Sequence, residues 1–164
     1  MNTVVYKLGN DVSTDIIYPG RYMATVLPTE TPQYAFADDP DFQVCIQKGS
    51  IPTGSIIVAG ENFGCGSSRE QAVSTLKGYA FTIVAKNFAR IFLQNAINVG
   101  LTVVTCPTIE AQEGDELEIG LQDIQNVTNG KRYKIIPLPK ASQEILDAGG
   151  LIPFTRERLT KGQS

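Results

Sequence analysis

The 164-residue sequence predicts an α/β fold with a parallel βαβαβ core and an antiparallel addition, built as a single domain over residues 1–164. Three observations carry this expectation. Short β-branched runs, SIIVAG, AFTIVAK and LTVVTC, follow one another between residues 55 and 106. Two stretches at helical spacing separate them, and such alternation implies parallel strands covered by crossover helices. Beyond Pro107, short strand-like segments succeed one another around turn residues, as in antiparallel hairpins.

Each element can be justified in order. TVVYKL, residues 3–8, alternates enough to form a strand. Residues 11–33, DVSTDIIYPGRYMATVLPTETPQ, contain three prolines and no sustained apolar run, which predicts an irregular loop with short extended pieces. In QYAFADDPDF, residues 33–42, one helical turn is expected before Pro40 breaks it. SIIVAG then forms a buried strand ending in glycine. The loop GENFGCGSSREQA, residues 60–72, leads into a helix over 68–79, with Ala72, Val73 and Leu76 at helical spacing. Ser67 followed by Glu70 fits a capping box, which makes Ser67 the expected N-cap. AFTIVAK is the next strand. The following helix, NFARIFLQNAINVG, places Phe88, Ile91, Phe92, Asn95, Ala96 and Val99 on one face, and Gly100 stops it. LTVVTC is a third buried strand. DELEIGL, DIQNVT and RYKIIPL are short strands, with Asn129-Gly130 as a turn signal between the last two. PKASQEILDAGGLI reads as a closing helix followed by glycine, and residues 155–164 as a loose polar tail.

Composition narrows the function classes. Hydrophobic residues make up 42% and charged residues 19%, the balance of an ordinary globular protein. The formal net charge of −3 argues against nucleic acid as a partner. No basic leader precedes a long apolar stretch, and no apolar run approaches a membrane span, so a cytoplasmic location without membrane contact is expected. Cys45, Cys65 and Cys106 are odd in number and widely spaced, which disfavours a disulfide framework or a local zinc site. The chain has no histidine, which excludes a serine–histidine triad built from its own residues.

The loop at residues 60–72 carries the chemistry. Loops that follow parallel strands and open helices are where α/β folds bind ligands, and helix N-terminal amides favour anions. The same letters also describe a tight turn with a capping serine. Three known templates fail here. A P-loop would place glycine where Cys65 stands, a dinucleotide loop would place it at Arg69, and a nucleophile elbow at Glu70. What remains is Ser67 and Ser68 beside Arg69, whose planar fork matches a carboxylate. An unassisted serine hydroxyl is a poor base, so these residues make half of an active site whose missing charge comes from elsewhere.

VAGENFGCGSSREQA, followed by IVAKNFARIFLQNAINVGL and preceded by LGNDVSTDIIYPGRY, closely resembles the swivelling β/β/α domain of the aconitase superfamily. More narrowly, it resembles the separate small subunit of 3-isopropylmalate dehydratase and homoaconitase-type hydro-lyases, across essentially the whole chain. The resemblance implies a heterodimer in which a large subunit carries a [4Fe–4S] cluster, with none bound by this chain. It implies Ser67 as the base acting next to a carboxylate, and Ser68 and Arg69 as ligands of a small dicarboxylate substrate. The reaction implied is dehydration and rehydration of an alkyl-malate in leucine biosynthesis. After the GRY signature, homoaconitase-like members place an arginine, whereas Tyr22, Met23, Ala24 and Thr25 stand here and put Ala24 at that position. A small uncharged residue suits a short alkyl group, unless Arg21 supplies the charge instead. A 2,3-dimethylmalate or citraconate hydratase would share such a loop. Gln71 departs from the histidine found in many relatives, and Asp15 in the amino-terminal signature is placed to orient the loop. Two other classes remain: a regulatory protein that kept the fold and lost activity, and a self-sufficient anion-binding module.

Overall fold

The computed structural model describes residues 1–47 and 51–162. In chain order the elements are β1 (Asn2–Lys7), α1 (Thr14–Ile17), two short 3-10 turns (Gly20–Tyr22 and Thr31–Tyr34), α2 (Pro40–Gln47), β2 (Ile56–Ala59), α3 (Glu70–Gly78), β3 (Thr82–Ala85), α4 (Arg90–Val99), β4 (Thr102–Thr105), β5 (Glu116–Ile119), β6 (Asp123–Asn126), β7 (Arg132–Lys134), α5 (Lys140–Asp147) and α6 (Leu151–Gly162).

The strands form one seven-stranded sheet in the order β4-β3-β2-β1-β5-β6-β7. β1 to β4 run parallel, while β5, β6 and β7 are antiparallel, so the expected core and its addition meet along β1. A further bridge joins Thr105, the last residue of β4, to Ile136, just beyond β7, and the sheet therefore curls on itself. Strand alternation divides the buried side chains between two clusters. Ile57, Ala59, Ile83 and Ala85 face α3 and α4, packing with Val73, Leu76, Phe92 and Ala96. Ile56, Val58 and Val84 face the other way, into the curl, with Leu117, Ile124 and Tyr133. Val4 and Tyr6 would share a face in a regular strand, but a register shift between them sends Val4 to the inner cluster and Tyr6 to the helical one.

Several local expectations change. Residues 11–33 are irregular with extended pieces, among them a parallel bridge from Ser13 to Cys65, but they also hold short helical turns: Ser13 caps α1 through its side chain, which accepts from the Ile16 amide. Pro40 begins a helix instead of breaking one, because the first helical position needs no amide donor. Asp39 supplies the acceptor there, binding the Asp41 and Phe42 amides. LTVVTC becomes an edge strand that is only partly buried. In α4 the buried residues are Phe92, Ala96 and Ile97, whereas Ile91 is 58% exposed. That helix starts at Arg90, with Phe88 before it, so its packed face is rotated from the expected one. Gly100 ends it in the left-handed conformation, with φ of 87°. Residues 155–162, expected as a loose tail, are helical; Phe154 and Arg158, one turn apart, stack with the guanidinium 5.4 Å from the ring centre. No helix among the described residues is long and apolar enough to cross a membrane.

Candidate active site

Loops at the carboxyl ends of β1, β2 and β3 are laced together by their own backbones. The Gly60 amide donates to Gly9 O (3.0 Å), Asp11 N to Glu61 O (2.8 Å), and Gly64 N to Val12 O (2.7 Å). Side chains reinforce the seam: Asn10 Oδ1 accepts from the Glu61 amide, and Asn87 Oδ1 from the Asn62 amide. Two glycines are required by this close approach. A Cβ on Gly60 would lie 2.0 Å from Asn10 Oδ1, and one on Gly64 would lie 2.2 Å from the Phe92 ring. Gly64 also has φ of 85°, a conformation that side chains resist.

The seam carries residues 67–69 to the mouth of a depression of about 620 Å³, lined by Ser67, Ser68, Arg69, Ile91, Asn95 and their neighbours. Ser67 and Ser68 are exposed there. The capping box does not form. α3 begins at Glu70 with Arg69 at the N-cap and no side-chain cap, while the Ser67 carbonyl accepts from Thr14 Oγ1 at 2.7 Å. Binding of the loop by Thr14 fixes Ser67 one turn ahead of the helix, so its hydroxyl is not engaged as a cap. Asn95 Nδ2 lies 3.4 Å from Ser68 Oγ and donates to it.

Arg69 is the most enclosed of the three, with 18% of its side chain exposed. Its Nη1 donates to Asp15 Oδ1 (2.7 Å) and to the Tyr18 carbonyl (3.0 Å). Asp15 also accepts from the Gly20 amide at 2.9 Å. The hydrogen bond from Arg69, then that from Gly20, holds the Asp15 carboxyl below its ordinary range. Asp15 thereby fixes the orientation of the arginine. Arg21 is placed differently. Its fork pairs with Asp38 and its guanidinium lies 4.6 Å over the Tyr22 ring, and it does not line the depression.

Tyr22, Met23, Ala24 and Thr25 form a closed turn, the Thr25 amide donating to Tyr22 O at 3.0 Å. Tyr18, wholly buried, and Gln71 at the start of α3 both bind it. Sequence reasoning missed both roles. The fixed spacing of the tyrosine from the turn was visible, but nothing in the letters showed where its hydroxyl would point.

Among the described residues, the three cysteines lie on separate elements. Cys45 lies in α2, Cys65 in the loop and Cys106 after β4, and burial raises the Cys106 thiol to about 11. Among the described residues, no group of three His, Cys, Asp or Glu side chains could hold a metal ion. What the site presents is a hydroxyl pair and an oriented cation, open on one side.

A parallel-cored α/β domain presenting this loop defines a class: residues 24–108 match the aconitase C-terminal domain. The chain is 46% identical to the 3-isopropylmalate dehydratase small subunit of Methanosarcina acetivorans over 161 residues, covering 95% of this chain and 96% of that one. It is 45% identical to the isopropylmalate/citramalate isomerase small subunit of Methanocaldococcus jannaschii, covering 97% and 95%. A crystal structure of 3-isopropylmalate dehydratase from Methanocaldococcus jannaschii aligns with a TM-score of 0.88 at 40% identity, covering 99% and 96%. The chain belongs to the 3-isopropylmalate dehydratase small-subunit family.

Proposed function

We propose that this chain is the small subunit of a heterodimeric cytoplasmic hydro-lyase that interconverts 3-isopropylmalate and 2-isopropylmalate in leucine biosynthesis. The observation that carries this reading is the exposed Ser67–Ser68–Arg69 edge on an open depression. Ser67 takes the proton from the carbon beside a substrate carboxylate. Its alkoxide lies ahead of the positive end of α3, which favours negative charge. Ser68, held by Asn95, and Arg69, held by Asp15, bind the carboxylate and set the angle of the acidic carbon toward Ser67. The large subunit carries a [4Fe–4S] cluster, whose chemistry when bound is Lewis-acid assistance to loss of hydroxide. Rehydration on the neighbouring carbon completes the isomerisation. Arg21 would have to release Asp38 to reach a substrate. Ala24, exposed and uncharged on its turn, favours an alkyl group over a second carboxylate.

A second reading is favoured by the dual name of the Methanocaldococcus jannaschii relative: citramalate, with a smaller alkyl group, is also a substrate. The test is co-expression with the cognate large subunit, anaerobic reconstitution of the cluster, and enoate absorbance with 3-isopropylmalate, citramalate, 2,3-dimethylmalate and homocitrate. Turnover of an alkyl-malate is expected, and Ser67→Ala lowers kcat about 10²–10⁴-fold, the usual contribution of a positioned base. Preference for homocitrate overturns the reading of Ala24. No turnover by a complex with a verified cluster overturns the catalytic reading in favour of a regulatory one.

A further inference from the structure

We infer that Tyr18 and Gln71 are positioning residues that set alkyl selectivity by clamping the Tyr22–Thr25 turn. This deepens the proposed function and rests on its assignment of that turn to substrate discrimination. Met23 has φ of −62° and ψ of −18°, the first central position of a type I turn, and Ala24 follows it at the tip. Three residues hold the turn: Tyr18, Gln71 and Tyr34. The Tyr18 hydroxyl lies 3.0 Å from Tyr22 O and 3.2 Å from Thr25 O, and its single proton is shared between those carbonyls. Gln71 Nε2 donates to Met23 O at 3.2 Å, which fixes the peptide plane leading directly into Ala24. The Tyr22 ring stacks on Tyr34, with centroids 4.1 Å apart.

Both clamping residues are also tied to the candidate carboxylate site. The Tyr18 carbonyl accepts from Arg69, so one buried residue holds the arginine with its backbone and the turn with its side chain. Gln71 sits two residues beyond Arg69, on the first turn of α3. The distance from the carboxylate-binding arginine to the tip of the turn is thereby set by two neighbouring anchors. Selectivity between alkyl groups depends on that distance being held, because a loosely held turn separates ligands that differ by a few methyl groups poorly.

The test uses Tyr18→Phe, Gln71→Met and the double variant in the reconstituted two-subunit enzyme. Each substitution keeps shape and removes a donor, leaving the Tyr18 carbonyl and its arginine contact in place. The ratio of kcat/KM for 3-isopropylmalate to that for citramalate falls about fivefold in each single variant, the worth of one hydrogen bond. The change is expected in KM, with kcat on 3-isopropylmalate held within about twofold. Hydrogen exchange at residues 22–25 in the same proteins accelerates. An unchanged ratio in the double variant, an equal fall in kcat for both acids, or unaltered exchange overturns the assignment. Failure of the functional reading shows separately, as a wild-type enzyme that turns over neither acid while exchange still responds to the variants.

Discussion

Arg69 illustrates how much of the site is decided by single residues. A guanidinium free in solution samples many orientations, and here Asp15 and the Tyr18 carbonyl select one. The ion pair has a defined pH signature. Because the folded Asp15 carboxyl lies below its unfolded value near 3.9, its contribution to stability is complete above that value and is lost as pH falls through the folded one. The stability difference between wild type and Asp15→Asn should therefore stay constant from about pH 8 to pH 5 and shrink below about pH 4. Chemical denaturation across that range measures it, and a difference that varies near neutrality would contradict the pairing. Ser67, Ser68 and Arg69 were all legible as a group in the letters GSSR. That Arg69 would find Asp15, fifty-four positions away, was not, because only the seam between two strand-end loops brings them together.

At the scale of elements, the glycine-rich loop is a strut as much as a candidate binding loop. Gly64 lets the backbone pass beside Phe92, whose ring stacks with Phe88 and meets Phe63 edge-on. Gly64→Ala combines an unfavourable φ with overlap against that ring, and is expected to destabilise the chain by about 2–4 kcal/mol. Urea denaturation tests this, and a loss below about 0.5 kcal/mol would show that α4 can yield at no cost. The parallel strands and α3, α4 and α5 were readable because β-branched runs and helical periodicity are local signals. The capping box was not a reliable guide: Thr14 holds the Ser67 carbonyl from outside the loop, and this long-range contact displaces the helix start to Glu70. The rotated face of α4 has a similar cause. Its register is set by the aromatic contact with Phe63, which spacing within the helix cannot show.

For the whole molecule, the depression beside Ser67 is open, and nothing in the described residues supplies a metal centre to complete it. Half a site binds weakly, because a small dicarboxylate keeps most of its hydration until the opposite wall is in place. Calorimetry of the isolated chain with malate analogues should show no saturable binding at about millimolar concentration, the affinity scale of a few kcal/mol. Saturable binding in the micromolar range would instead identify a self-sufficient anion-binding module.

The α/β class, the parallel core, the turn at Asn129-Gly130 and the GSSR edge could all be read from the letters, since each depends on residues close together in the chain. The tertiary structure alone decided the curl of the sheet, the Asp15–Arg69 pair and the Gln71 contact to the Tyr22–Thr25 turn. Those features join segments far apart in sequence. The two side-chain contacts follow from which loops the strand order β3-β2-β1 places side by side, and the curl from the bridge between the two ends of the sheet; no local pattern of residues encodes either.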